Sequence, residues 1–287
     1  MSLGDPEGMV SLLLDCHELA ARLATDEAPV VLDVRWTLGG PSGVADYASG
    51  HIPGAHFVDL DRELSGPPGP GRHPLPDAAA FGAAMRRHGV DRSRLVVAYD
   101  AATGTSAARA WWLLRSFGHP NTALLDGGFA AWVSAGLPTV SAADHDPAPG
   151  DFDPVPGGMP LLDADGAAAI ARDGILIDAR APERFRGETE PVDPVDGHIP
   201  GARNVPAQST QTPEGRFLPA AELRSRYAAA GVEAGKPVAV YCGSGVVATE
   251  GVFAMGLAGI DAALYAGSWS EWITNPGRPV EVGESTP

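Results

Sequence analysis

The order of motifs in the first half of this chain returns in the second. VVLDVRW (30–36) comes back as ILIDARA (175–181), and GHIPGAHFV (50–58) as GHIPGARNV (197–205). LVVAYDAATGTSAAR (95–109) comes back as PVAVYCGSGVVATEG (237–251), and DGGFAAW (126–132) as AGSWSEW (266–272). The spacing is nearly constant: Asp33 to Asp178 is 145 residues, His51 to His198 is 147, Asp100 to Cys242 is 142 and Trp132 to Trp272 is 140. Four landmarks in such close register imply a duplicated domain. In a chain of 287 residues each copy is large enough to bury its own core, and two copies do not make a solenoid.

Within the first copy, β-branched runs alternate with helical patterns. DCHELAARLA reads as a first helix capped by Asp15. Strands are expected in VVLDVRW, RLVVAYD (94–100) and TALLDGG (122–128), and helices over 77–88, 105–118 and 129–136. Strands and helices at this spacing make an α/β fold with a parallel sheet. Between the copies, VSAADHDPAPGDFDPVPGGMP (140–160) is rich in Pro, Asp and Gly and has no periodicity, as expected of a linker. The expected division is a first domain over 1–140, a linker over 141–159 and a second domain over 160–287.

Charge removes several function classes. With 36 acidic residues against 20 Lys plus Arg, the net charge is −16, which argues against non-specific nucleic-acid binding. An anionic substrate then needs a local cluster of positive groups. No apolar run approaches the roughly 20 residues of a membrane-spanning helix, so no membrane partner is expected. The start, MSLGDPEGMV, lacks the basic and apolar regions of a signal peptide, and a cytoplasmic location is expected. The two cysteines, Cys16 and Cys242, fit neither a disulfide framework nor a zinc site, so no metal or cofactor is expected.

Cys242 ends an apolar run, Val238 to Tyr241, and is followed by Gly243, Ser244 and Gly245 before a helical pattern resumes. A strand that turns sharply into a helix leaves unpaired N–H groups in the turn, which favour negative charge. A free cysteine titrates near pH 8.5, and such a setting favours the thiolate, the nucleophilic form. The plainer reading is a buried cysteine at a strand end. The other copy favours the nucleophile: it carries Asp100 at the matching point, so one copy is suited to thiol chemistry and the other to support. Cys16, inside a helical pattern, reads as a small packing residue. His51, His198, Asp33 and Asp178 occur in both copies and read as structural. Trp36 suits either a core or a domain interface, and Trp111-Trp112 the core.

With GHIPGA at 50–55 and 197–202, LIDAR at 176–180, RFRG at 184–187, CGSGV at 242–246 and GSWSEW at 267–272, the chain resembles two-domain rhodanese-type sulfurtransferases over nearly its whole length. The resemblance implies two tandem rhodanese-like domains, each a mainly parallel sheet flanked by helices, with the second catalytic. It implies a sulfurtransferase that carries sulfur as a persulfide on Cys242. The neutral pair Gly243-Ser244 resembles the 3-mercaptopyruvate branch, whereas the thiosulfate branch carries basic residues in this loop. The implied partners are a small anionic sulfur donor and an acceptor such as thioredoxin, a small thiol or cyanide.

The resemblance also implies roles for particular residues. Ser244 would polarise the substrate, paired with His73 in GRHPLP and Asp61 in FVDLD, with Asp59 as a nearby alternative to Asp61. The loop from Gly243 through Gly245, Val246, Val247 and Ala248 would cradle anionic sulfur with its N–H groups. Arg184 matches the family's donor-binding arginine. A second arginine is usual a little further on, but here ETEPVDPVDGHIPG (188–201) holds Val192 and Asp193, leaving Arg186 or Arg203 as substitutes. Val247 stands where threonine is common. Two other classes compete. Phosphatases of related fold need an arginine six residues after the cysteine, and Ala248 stands there. A non-catalytic sulfur-carrier or regulatory module suits a copy that has lost its cysteine.

Overall fold

The computed structural model describes residues 12–141 and 147–284. The stretch MSLGDPEGMV and residues 142–146 of the expected linker lie outside the described residues. The first copy runs β1 (Leu13–Leu14), α1 (Cys16–Leu23), β2 (Val30–Asp33), α2 (Val44–Ser49), β3 (Ala55–Phe57), α3 (Leu60–Glu63), α4 (Ala78–Arg87), β4 (Val96–Tyr99), α5 (Thr105–Ser116), β5 (Thr122–Leu125) and α6 (Gly128–Ser134). The second runs β6 (Leu161–Leu162), α7 (Ala164–Asp173), β7 (Ile175–Asp178), α8 (Pro182–Phe185), β8 (Arg203–Asn204), a 3-10 turn (Ala207–Thr210), α9 (Ala220–Ala229), β9 (Val238–Tyr241), α10 (Val247–Leu257), β10 (Ala263–Tyr265) and α11 (Ser268–Trp272). No helix among the described residues is long and apolar enough to cross a membrane.

Each copy forms a parallel five-stranded sheet, in the orders β1-β5-β4-β2-β3 and β6-β10-β9-β7-β8. The central strands β4 and β9 are buried on both faces, which is why VVAY and VAVY are continuous apolar runs rather than alternating ones. Their carboxyl ends deliver Asp100 and Cys242 to the same point of the two sheets, where open α/β sheets place their ligands.

The two structural pairs of the repeat have matching jobs. Asp33 grips Arg35 at 2.6 Å, and the guanidinium reaches the Gly50 carbonyl at 2.8 Å. Asp178 grips Arg180 at 2.7 Å, and that guanidinium reaches the Gly197 carbonyl at 2.7 Å. Each pair ties a strand end to a GHIPGA turn. His51 and His198 stack on Tyr47 and Phe185, and the Nδ1 of each donates to the backbone carbonyl of the residue it stacks on.

One apolar cluster crosses from the first copy to the second, while two smaller ones lie on the outer faces of the sheets. Trp111 on α5 meets Phe253 on α10 edge to face, with centroids 4.9 Å apart. The segment 147–159 is strapped along the first copy. Phe152 is buried against Phe81, and the N–H groups of Gly150, Phe152, Val155 and Gly158 donate to carbonyls of Arg86, Val90, Phe117 and Ser116. Four of its N–H groups are thus satisfied without any helix or strand, in keeping with its lack of periodicity.

Candidate active site

Between β9 and α10 the chain makes a tight loop, Cys242 to Val246. Gly245 sits at φ +79°, and a Cβ there would fall 2.2 Å from the Ala266 carbonyl oxygen, so only glycine fits. The turn brings the Gly245 N–H to 3.1 Å from Cys242 Sγ, where it stabilises negative charge on sulfur. The GSWSEW segment closes over the loop from outside. Trp269 and Ser270 N–H groups donate to the Cys242 and Gly243 carbonyls, both at 2.9 Å. Ser268, at φ +54°, accepts from the Cys242 N–H at 3.1 Å and lies 4.0 Å from the sulfur.

The first copy repeats this scaffold with a different filling. Phe129 and Ala130 N–H groups donate to the Asp100 and Ala101 carbonyls. There, however, the loop N–H groups of Ala102, Gly104, Ser106 and Ala107 all point at the Asp100 carboxylate, at 2.9–3.4 Å. Burial pushes this carboxyl up while those donors pull it down. The anion cradle of the first copy is occupied from within. At the matching point of the second copy the Gly245 N–H meets a thiol, and the loop lines a cavity.

The cradle faces a cavity of about 270 Å³ lined by Cys242, Gly243, Ser244, Arg184, Val246 and Val247, among others. Ala248 is turned into the core instead. Ser244, His73 and Asp61 come together in line: Ser244 Oγ is 2.8 Å from His73 Nδ1, and His73 Nε2 is 3.5 Å from Asp61 Oδ1. Trp36 Nε1–H donates to the other Asp61 oxygen at 3.0 Å and sets its ring edge against the imidazole. Asp59 is spent elsewhere, capping α3 through the N–H groups of Asp61 and Arg62. Burial lowers the His73 pKa against the pull of Asp61, and the charges of Arg109 and Arg72 lower it further. A neutral His73 with Nε2–H toward Asp61 is set to accept from the Ser244 hydroxyl at Nδ1.

Positive charge reaches the cavity along an alternating chain. From Asp178 it passes to Arg180, then to Glu190 at 3.3 Å, Arg184 at 2.6 Å and Asp193 at 3.2 Å, and ends on Arg72 of the first copy. Burial pushes Glu190 up, but the Arg184 guanidinium and backbone donors outweigh it and hold it below its ordinary value. Burial raises Asp193 despite Arg72 beside it. The two arginines offered by sequence as substitutes are not at the cavity. Arg186 pairs with Glu188 at 2.7 Å, and Arg203 donates to the Ala230 carbonyl at 2.8 Å.

Sequence reasoning passed over Arg72 and Arg109. Arg109 lies fully buried on α5, donating to the carbonyls of Leu64, Gly245, His73 and Pro74 at 3.0–3.2 Å. It has no carboxylate partner among the described residues. Burial lowers its pKa to about 10, partly offset by Cys242 nearby. One guanidinium thus ties the cysteine loop to the His73 segment across the two copies. The available signal was a lone cation amid the apolar pattern AARAWWLL.

Residues 15–135 and 163–275 each match the rhodanese-like domain family. A probable 3-mercaptopyruvate sulfurtransferase of Pseudomonas aeruginosa is 47% identical over 283 residues, covering 95% of this chain and 98% of that protein. A putative thiosulfate sulfurtransferase, SseB, of Mycobacterium tuberculosis is 45% identical over 280 residues, covering 95% and 97%. Among solved structures, the 3-mercaptopyruvate enzyme SseA of Escherichia coli superposes with a TM-score of 0.81 at 32% identity, covering 91% of this chain and 99% of that one.

Proposed function

The chain belongs to the rhodanese-like family and is a sulfurtransferase, and from that premise we propose that it takes sulfur from 3-mercaptopyruvate onto Cys242 and passes it to a thiol. The Cys242 thiolate attacks the donor sulfur. The S–C bond breaks, its electron pair goes to the pyruvate carbon as an enolate, and the donor's thiol proton is delivered there. Pyruvate leaves, and Cys242 holds a persulfide anion. An acceptor thiolate then attacks the outer sulfur, forms a new S–S bond and releases the Cys242 thiolate. Cyanide attacking the same atom gives thiocyanate. The acceptors we favour are thioredoxin or a small thiol. Both cysteines are free, which suits a reducing compartment such as the cytoplasm.

The observation that carries the choice of donor is the Ser244–His73–Asp61 line beside the thiol. A carbon leaving group needs a proton moved to it, and a hydroxyl–imidazole–carboxylate relay supplies that path. Sulfite leaving thiosulfate needs none. Thiosulfate remains the second reading because the M. tuberculosis relative carries that name at nearly equal identity.

Intact mass after incubation with each donor tests the proposal. We expect one added sulfur atom with 3-mercaptopyruvate, lost in Cys242→Ser. We also expect Ser244→Ala to slow transfer from 3-mercaptopyruvate by tenfold or more, with little effect on thiosulfate. Sulfur loading from thiosulfate alone would replace the donor, and loading from neither would sink the persulfide mechanism.

A further inference from the structure

The cation geometry around Cys242 is not the one that sequence suggested. The Gly243 Cα faces two guanidinium groups. A Cβ on Gly243 would lie 2.8 Å from Arg72 Nη2 and 3.5 Å from both Nη1 and Nη2 of Arg184. Glycine at 243 therefore leaves open the space in which the two arginines converge, one residue from the thiol. Arg184 comes from the second copy, but Arg72 arrives across the domain interface. Its N–H is held by Ser270 Oγ at 3.1 Å, and the preceding Gly71 is so close that a Cβ would lie 3.1 Å from the Gly267 carbonyl oxygen. The loop carrying Arg72 is seated on the same GSWSEW segment that closes over the cysteine loop.

One carboxylate holds both cations. Asp193, with its side chain 4% exposed, gives one oxygen to Arg72 and the other to Arg184. A carboxylate held with one oxygen on each of two guanidinium groups is how a small donor anion would be held. Arg72 retains a buried Nε–H with no partner among the described residues, so its donor capacity is not exhausted by Asp193. The alternating chain Asp178, Arg180, Glu190, Arg184, Asp193, Arg72 carries three charges of each sign, so within this chain an entering anion finds uncompensated positive charge only if Asp193 gives way.

We propose that Arg72 is the second donor-binding cation of the site, and that Asp193 is its resident counter-ion, exchanged for the donor's carboxylate or sulfonate on binding. The arginine missing from the stretch after Arg184 is in this way replaced from the other domain, with an acid standing in its former neighbourhood to hold it. The anionic class of ligand rests on the reading under Proposed function, and the test is therefore made on binding rather than turnover.

The experiment is calorimetric titration of pyruvate and of thiosulfate into the full-length Cys242→Ser protein, which cannot accept sulfur. Arg72→Ala is expected to weaken both anions at least tenfold. Arg72→Lys, which keeps charge but loses the fork, should recover part of that loss. Asp193→Asn, by removing the competing carboxylate, should tighten binding threefold or more. The pair Arg72→Gln with Asp193→Asn keeps a neutral hydrogen-bonded bridge, so it guards against misfolding of Arg72→Ala, and it too should bind at least tenfold more weakly. Binding within twofold of the parent in Arg72→Ala and in the paired variant overturns the proposal, as does the absence of saturable binding of either anion to the parent. A wild-type protein that fails to form a persulfide would sink the sulfur-transfer reading without touching this result.

Discussion

At the scale of single residues, the site depends on which groups stay neutral and which stay charged. His73 is buried, and burial is the largest cause of its lowered pKa, opposed by Asp61 and reinforced by Arg109 and Arg72. Its folded value lies below the ordinary 6.5, so the imidazole remains a proton acceptor into mildly acid solution. The acid limb of kcat/KM for 3-mercaptopyruvate is then expected below that ordinary value, as protonation finally removes the acceptor. Stability follows the same sign: between the folded and unfolded values the unfolded chain binds more protons, so stability falls as pH falls. In Asp61→Asn the one opposing charge is gone, so the acid limb should move further down while kcat drops. A pH–rate series in which the limb stays in place would remove Asp61 from the relay. Cys242 was expected from its loop and its duplicated setting, and Ser244, His73 and Asp61 were legible as candidates only through the family resemblance of the short motifs that hold them. Arg72 was not, although it precedes His73 directly, because its partners Asp193 and Gly243 are more than a hundred residues away and nothing local marks the pairing.

At the scale of elements, the turn from β9 into α10 makes the thiol available, and its shape rests on one backbone conformation. Gly245 lies in the left-handed region, and the Ala266 carbonyl fills the place of a side chain. Gly245→Ala therefore meets both a torsional penalty of about 1–2 kcal/mol and a direct clash. The loop must open, which pulls the Gly245 N–H away from Sγ and the Gly245 carbonyl away from Arg109. The expected outcome is loss of persulfide loading by a hundredfold or more together with a lower Tm; a variant that loads sulfur at the parent rate would show that the loop is not preorganised. The strands were easy to read from sequence, since β4 and β9 are buried on both faces and leave unbroken apolar runs. The strap over 147–159 was not, because its order comes from backbone bonds to α4, α5 and their flanking turns rather than from any side-chain period.

At the scale of the whole molecule, duplication has become division of labour. The first copy's cradle is closed by Asp100, and that copy brings His73, Asp61, Arg72 and Arg109 up to the candidate site of the second. Such sharing requires the copies to stay docked, and a common apolar cluster with α5 against α10 provides for it. Within that interface lies Glu250, a buried acid with no basic partner among the described residues. It meets Thr105 of the first copy at 2.7 Å and Gln211 of the second at 3.1 Å. Burial pushes its pKa up to about 8, helped by the charge of Asp100 and opposed by its hydrogen bonds. The folded protein thus keeps a proton there that the unfolded chain gives up above its ordinary value of 4.5. Between those two values the folded state binds more protons, so stability is full below the lower value and declines as pH rises toward the upper one. The slope for this one group is at most about 1.4 kcal/mol per pH unit. Glu250→Gln preserves the shape and the hydrogen-bonding capacity while removing the titration. Urea unfolding from pH 5 to pH 8 should show the decline in the parent flattened in the variant, with the variant the more stable of the two at the alkaline end. Parallel curves across that range would mean that Glu250 is ionised in the folded protein and that the interface holds a bare carboxylate.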